Sequence, residues 1–257
     1  MKVCVAIDSY KGSATSEELN GAVCQALKKL GISSCNVPIA DGGEGTLAIL
    51  SKAFTGQKRE VDTIDLLGRP IKGHYWLTEI DQVKTAIIES AQILGLTRIT
   101  PNEKTIQAAH SYGLGLVILA AIKEATQVFV SLGGSGVNDG GQLQPGFATI
   151  AQLLDLDHKL ASCDFVITGE GRFDEQTAQG KVPLGVARLA RKHQLPVVAF
   201  CGARPENITG IEYHFDGVFS IQTRPITLKD AMVKKVALEN IALLTENVVK
   251  VYLSGQR

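Results

Sequence analysis

Apolar and polar residues alternate in blocks that predict strands and helices in turn along most of the chain. A short β-branched run at residues 3–7 is followed by a segment at 16–30 with the spacing of an amphipathic helix. That helix is preceded by Thr15-x-x-Glu18, which is typical of a capping box, and Gly31 is a suitable stop. Because strand and helix alternate, we predict an α/β fold of the Rossmann-like kind, with a mainly parallel sheet and helices on both faces.

Three consecutive strands, predicted at 58–64, 72–77 and 85–89, interrupt this alternation. The turns between them are too short to hold a crossover helix, so the strands are expected to pair antiparallel. We therefore predict a small antiparallel meander at one edge of the fold. With no clear linker and no internal repeat, the chain is predicted to be a single domain over residues 1–257.

Polar, glycine-rich segments follow five of the predicted strands, and they begin at Asp8, Asp41, Gly133, Gly169 and Gly202. In a parallel sheet the carboxyl ends of the strands share one edge, where ligands bind. Glycines at such an edge let backbone N–H groups approach a ligand closely and hold an anion. Each segment could also be an ordinary tight turn. Five of them at one edge favour a common site.

Composition excludes several classes of partner. Hydrophobic residues make up 45% of the chain and charged residues 20%, as in an ordinary globular protein. Lys plus Arg equals Asp plus Glu at 26 each, so no global field would attract nucleic acid or an anionic membrane. The longest apolar tract, near 116–122, is too short to span a bilayer. We predict a cytoplasmic protein that binds neither nucleic acid nor membrane.

The five cysteines are odd in number and scattered along the sequence, and they form no C-x-x-C pair. This spacing argues against a disulfide framework and against a zinc site. Cys4, Cys163 and Cys201 are therefore predicted to be small residues of the core.

The side chains at the predicted edge suit phosphoryl transfer. Carboxylates can hold Mg²⁺ or accept a hydroxyl proton, while lysines and glycine N–H groups can hold phosphate oxygens. The chain has no Walker motif, and no dinucleotide fingerprint is completed after any strand.

Four blocks of sequence resemble signature segments of the bacterial glycerate kinase family. They are Asp8-Ser9-Tyr10-Lys11-Gly12-Ser13, Asp41-Gly42-Gly43-Glu44-Gly45-Thr46, the segment 132–141 (LGGSGVNDGG) and the segment 168–176 (TGEGRFDEQ). The resemblance spans nearly all of the chain. It implies ATP-dependent phosphorylation of D-glycerate, at the 2-hydroxyl, with Mg²⁺. A homodimer is a candidate assembly.

The same resemblance suggests roles for individual residues. Asp139 is the first choice for the base that accepts the glycerate proton, and Asp41 and Asp174 are its rivals as base or magnesium ligand. Lys11 is predicted to neutralise phosphate, and Glu170 to contact the metal or its water. The remaining predicted contacts to nucleotide or substrate are Asp8, Gly133, Gly134, Ser135, Asn138, Gly169, Arg172 and Lys181. The alternatives are a helix N-cap for each aspartate, a solvated surface side chain for Lys11, and an ordinary salt bridge for Arg172 and Lys181.

One departure from the family pattern is large. In the family, the Asn-Asp-Gly-Gly block is followed by a second α/β domain, whereas here Gly141 is followed directly by Gln142-Leu143-Gln144-Pro145. The family's second domain would be inserted near 141–142 and is predicted to be absent. A chain without it would be a glycerate kinase, the core domain of one, or a nucleotide-binding or phosphate-binding module without turnover.

Overall fold

The computed structural model describes residues 1–95, 98–100, 102–133, 145–173, 181–204 and 212–256, without the side chains of Glu103 and Ile106. The chain forms two compact units. The first comprises Met1–Ala40 and Phe147–Arg257, and the second comprises Asp41–Gly146. The sequence predicted one domain over the whole chain, whereas the backbone forms two units, each with its own sheet.

The described strands are β1 (Lys2–Ile7), β2 (Ser33–Asn36), β3 (Gly56–Ile64), β4 (Pro70–Ile80), β5 (Val83–Glu89), β6 (Gln127–Ser131), β7 (Phe165–Arg172), β8 (Val197–Ala203) and β9 (Gly217–Ser220). The described helices are α1 (Ser16–Lys29), α2 (Thr46–Ala53), α3 (Ala91–Leu94), α4 (Glu103–Ala108), α5 (Tyr112–Ala121), α6 (Gly146–Leu153), α7 (Leu156–Ala161), α8 (Val182–Lys192), α9 (Leu228–Ala231) and α10 (Lys234–Ser254).

The sheet of the first unit is parallel throughout, with the strand order β2-β1-β7-β8-β9. Alternate residues of β1, such as Val3 and Val5, pack on one face against Leu19 of α1 and Ile241 of α10. The helix α8 packs against β7 and β8 and contributes buried residues such as Val186. The prediction of an α/β fold with a mainly parallel sheet is confirmed.

The first helix begins as its sequence predicts. The Thr15 hydroxyl accepts the amide of Glu18 at 3.2 Å, and the Glu18 carboxylate accepts the amide of Thr15 at 2.9 Å. This reciprocal pair satisfies two amides that a helix start otherwise leaves without partners. Gly31 follows the helix with φ +72°, a conformation that glycine adopts at low cost.

The second unit has a four-stranded sheet in the order β3-β4-β5-β6. Its first three strands pair antiparallel, as predicted for the meander, and β6 adds in parallel to β5. Tyr75, Ile88 and Val117 are buried in a core between this sheet and α5. The sequence placed β6 in the main parallel sheet, and this was wrong because β6 pairs with the meander.

Two breaks between neighbouring helices have local causes. Asp155 has φ +51° and interrupts the backbone hydrogen-bond pattern, so α6 and α7 are separate helices. Likewise, extended Val233 separates α9 from α10.

None of the described helices combines the length and the apolar character that a membrane span requires.

Candidate functional site

The carboxyl ends of the strands form one edge of the parallel sheet, which we call the carboxyl edge. This edge brings together residues from separate parts of the sequence. Ile7 of β1 is paired with Gly169 of β7, so both strands reach the edge in register. The Asp8 amide donates to the Gly169 carbonyl at 2.9 Å, and the Asp8 carboxylate accepts the Ser9 amide at 2.6 Å. Asp8 thus lies directly beside the segment that carries Glu170.

The glycines at this edge are required by close packing between strands. A Cβ at Gly169 would meet the carbonyl oxygen of Phe200, and a Cβ at Gly202 would lie 2.6 Å from the carbonyl oxygen of Gly171. Gly169, Glu170 and Arg172 also belong to β7, although the sequence placed them in a loop after the strand. The packing of β7 against β8 therefore accounts for Gly169 independently of any ligand.

Glu170 is the most buried carboxylate among the predicted site residues that the structure describes, with 5% of its surface exposed. Its Oε2 lies 3.8 Å from Nζ of Lys181, whose side chain is 29% exposed. Lys181 is the N-cap residue of α8, where no side chain caps the helix, and Pro183 lies in its first turn. This end of the helix combines a buried carboxylate, an ammonium group and backbone amides in one place.

Two further predicted cationic residues, Lys11 and Arg172, are exposed at the same edge. Lys11 and Gly12 form the tip of a tight turn in which the Tyr10 carbonyl accepts the amides of Ser13 and Ala14 at 2.7 and 3.0 Å. The base of the turn is held by the buried Tyr10 hydroxyl, which donates to the Phe200 carbonyl at 3.1 Å. Burial raises the pKa of Tyr10 well above its usual value, so the hydroxyl remains a donor.

Asp41 and Gly133 belong to the second unit, where their two segments are in contact. The Gly133 amide donates to the Gly42 carbonyl at 3.1 Å, and a Cβ at Gly133 would meet the backbone of Gly43. The exposed Asp41 carboxylate accepts the Gly43 amide at 2.9 Å and so shapes its own loop.

Glu89 was not predicted from the sequence, although its side chain stabilises the loop that begins at Asp41. Glu89 is 5% exposed, and its Oε2 accepts the amides of Gly45 at 3.1 Å and Leu47 at 2.9 Å. Burial raises the pKa of Glu89 above its usual value, against the effect of these two hydrogen bonds. The available signal was a carboxylate at the end of the apolar run Ala86-Ile87-Ile88, the same pattern that singled out Asp8.

Next to Glu89, the Ser90 and Ser131 hydroxyl oxygens are buried and have no hydrogen-bond partner among the residues that the structure describes. The backbones of the two serines are joined, since the Ser90 amide donates to the Ser131 carbonyl at 3.0 Å. Buried hydroxyls without partners are uncommon in folded proteins.

Five predicted site residues lie outside the described residues: Gly134, Ser135, Asn138, Asp139 and Asp174. Of the others, Asp8, Lys11, Gly169, Glu170, Arg172 and Lys181 lie at the edge of the first unit, and Asp41 and Gly133 lie in the second.

The carboxylates of the first unit fit Mg²⁺ in chemistry but do not form a complete cage. Mg²⁺ prefers oxygen ligands and usually takes one or two carboxylates together with phosphate oxygens and water. Asp8 and Glu170 could supply such carboxylates from neighbouring strands. Among the described residues, no group of three Asp, Glu or His side chains converges at this edge.

The model of the glycerate kinase family matches the chain in two segments, residues 3–142 and 141–253. The chain belongs to the glycerate kinase family. The resemblance inferred from the signature blocks is thereby confirmed, and so is the prediction of a kinase.

Curated relatives agree with this family. The chain is 23% identical over 382 residues to the glycerate 2-kinase of Escherichia coli K12, a match that covers 100% of this chain and 99% of that protein. It is 25% identical over 382 residues to the glycerate kinase of Bacillus cereus, covering 98% of each chain. A crystal structure described as glycerate kinase 2 of Salmonella typhimurium LT2 shares the fold, with a TM-score of 0.79 at 24% identity over 100% of this chain and 99% of that one.

Proposed function

We propose that this member of the glycerate kinase family transfers the terminal phosphoryl group of ATP to D-glycerate, at the 2-hydroxyl. The observation that carries the proposal is the family match, which extends over both segments of the chain. The E. coli relative is named as a glycerate 2-kinase, which favours the 2-hydroxyl over the 3-hydroxyl.

The carboxyl edge of the first unit supports this chemistry. Phosphoryl transfer needs positive groups around the phosphate oxygens, together with groups that orient the two reactants. Lys181 stands at the N-terminus of α8, with Arg172 at the end of β7 and Lys11 on a tight turn. We assign these three side chains and the first amides of α8 to binding phosphate oxygens or the carboxylate of glycerate.

Glu170 and Asp8 are proposed to hold Mg²⁺ at the edge of the first unit. Asp41, in the second unit, stays a separately predicted metal ligand. When bound, Mg²⁺ neutralises charge on the phosphate oxygens. Burial of Glu170 beside Lys181 keeps the carboxylate in one position, so the edge is organised before a ligand arrives.

Asp139 remains the proposed base for the glycerate hydroxyl, and Asp174 its rival. Gly133, Gly134, Ser135 and Asn138 are proposed nucleotide contacts, and Gly169 is retained as a backbone contact at the edge. A cytoplasmic location and a homodimer stay predictions.

We also propose that this chain lacks a domain that its relatives insert near Gly141 and Gln142. The family model matches in two segments that meet at these residues, and the alignments to relatives run over 382 residues while the chain has 257. For a chain shortened in this way, a binding module without turnover is the second candidate function, because an open site excludes water less well.

An assay of the purified chain with D-glycerate, ATP and MgCl₂ separates the candidates. Release of ADP that requires D-glycerate supports the kinase, and consumption of the product by enolase identifies 2-phosphoglycerate. ATP binding by calorimetry without ADP release would favour the binding module. If the chain shows no ATP binding and no ADP release, both candidate functions are contradicted. Omitting MgCl₂ in the presence of a chelator tests the metal requirement, and L-glycerate is the matched control for the substrate.

A further inference from the structure

Three cysteines that are far apart in the sequence converge in the first unit. The sulfur atoms of Cys4, Cys35 and Cys163 all lie within 4.8 Å of one another. Across the described part of the chain, no other three side chains of His, Cys, Asp or Glu bring possible ligand atoms this close. The spacing of the cysteines in the sequence argued against a zinc site, but this spacing carries no information about strand pairing.

The sheet explains why two of these sulfurs are neighbours. Cys4 of β1 is paired with Cys35 of β2 in a parallel register, so both side chains point to the same face. Val3 and Val5 on either side of Cys4 face α1 and α10, so Cys4 faces the opposite side. Cys163 joins them from the turn between α7 and β7.

The cluster is buried but accessible from one side. Cys4 and Cys163 are buried, whereas Cys35 is half-buried on β2, which is an edge strand. An ion could therefore enter beside Cys35, and water could complete its coordination.

Size and charge at the cluster suit a metal ion with three thiolate ligands. When three sulfurs bind Zn²⁺ with Zn–S distances of about 2.3 Å, the sulfurs lie about 4 Å from one another. Small side-chain rotations are therefore sufficient to bring the three sulfurs from their present positions to this distance. The ammonium of Lys2 donates to the Ser162 hydroxyl at 2.9 Å, next to Cys163 in the chain, and offsets the excess negative charge of three thiolates.

We propose that Cys4, Cys35 and Cys163 form a binding site for one thiolate-preferring metal ion, with Zn²⁺ as the ion that suits it. Sulfur ligands select Zn²⁺ over the hard ion Mg²⁺, so this site is chemically distinct from the carboxyl edge. It lies on the face of the sheet opposite α1 and α10, where β2 forms the edge, and does not depend on the proposed function. A bound ion would link β1, β2 and the α7–β7 turn, and would stabilise the first unit by mass action.

The test uses the full chain, reduced and freed of metal, and titrates it with Co²⁺ as a spectroscopic substitute for Zn²⁺. One equivalent should produce sulfur-to-cobalt charge-transfer absorption, which one equivalent of Zn²⁺ should abolish. Competition with a chromophoric chelator gives the Zn²⁺ affinity. A thiol reagent should react with three fewer thiols in the presence of Zn²⁺ than in its absence. The melting temperature should rise with Zn²⁺ concentration.

Cys35→Ser and Cys163→Ala should each weaken Zn²⁺ binding by more than about a hundredfold, because each removes a ligand rather than a supporting contact. Cys24→Ser is the matched control, since Cys24 is also half-buried but lies outside the cluster, and it should bind Zn²⁺ as the parent does. Circular dichroism checks that each metal-free variant is folded. Failure of the folded parent to bind one equivalent would overturn the proposal, as would equal affinity in Cys35→Ser and the parent.

Discussion

Glu170 in the first unit and Glu89 in the second have the same exposure, 5%, but very different partners. Glu170 lies near the Lys181 ammonium at the start of α8, whereas Glu89 accepts two backbone amides at the start of α2. Glu89 is the last residue of β5, and Glu170 lies near the carboxyl end of β7. Both strands pair in parallel with a neighbour. A buried carboxylate at such a position can therefore serve a ligand or serve the backbone, and its partners distinguish the two roles.

The largest effect, a loss of catalytic activity, is expected for substitution of Glu170. Glu170→Gln keeps the shape of the side chain but removes the charge, so kcat should fall by about a hundredfold or more, while the free energy of unfolding changes little. Steady-state ADP release and urea unfolding of the same preparation measure both quantities.

Glu170→Asp is the conservative control and should recover part of the activity. Full activity in a folded Glu170→Gln variant would show that Glu170, like Glu89, has a structural role only.

Glycine substitutions compare the packing of the two units. A Cβ at Gly169 would meet the Phe200 carbonyl, and a Cβ at Gly113 would meet the Ile64 carbonyl, so alanine at either position should cost about 3 kcal/mol of unfolding free energy. A Cβ at Gly21 in α1 or Gly115 in α5 has no neighbour within 4 Å, so alanine there should stabilise by about 0.5–1 kcal/mol.

Urea denaturation of the four variants checks these signs. A stable Gly169→Ala protein would mean that β7 and β8 can separate at the edge without loss, contrary to the packing described.

A smaller effect is expected at Glu89. Glu89→Ala leaves the amides of Gly45 and Leu47 without their acceptor and should cost about 2 kcal/mol of unfolding free energy. Both amides bond to the same oxygen, so Glu89→Gln retains an acceptor and should cost much less. Equal losses for the two variants would show that the charge, rather than the hydrogen bonds, matters.

The smallest effect is the pH dependence of Glu89. Because burial raises its pKa in the folded protein, protonated Glu89 favours folding, and that contribution is lost as pH rises through the raised pKa. The unfolding free energy of the parent, relative to that of Glu89→Gln, should therefore be highest below about pH 4 and fall as pH increases. A difference that grows with pH would contradict the raised pKa.

The sequence predicted those features that depend on neighbouring residues. The capping box at Thr15, the stop at Gly31 and the meander strands follow from local patterns.

Features that depend on pairing between distant segments were missed. Nothing near β6 indicates that β5 is its neighbour, and the contact of Glu89 with Leu47 joins segments 42 residues apart. The convergence of Cys4 and Cys163 likewise depends on the order of the strands, which sequence periodicity does not contain.

The hydrogen bonds that Glu89 accepts make two amide protons useful reporters. Exchange with deuterated solvent at Gly45 and Leu47 requires the carboxylate of β5 to release the start of α2. If exchange at both amides is as slow as in the centre of β4, the loop opens only when the second unit unfolds as a whole. If it is faster, the segment that carries Asp41 opens by itself, on a time scale that can be compared with turnover.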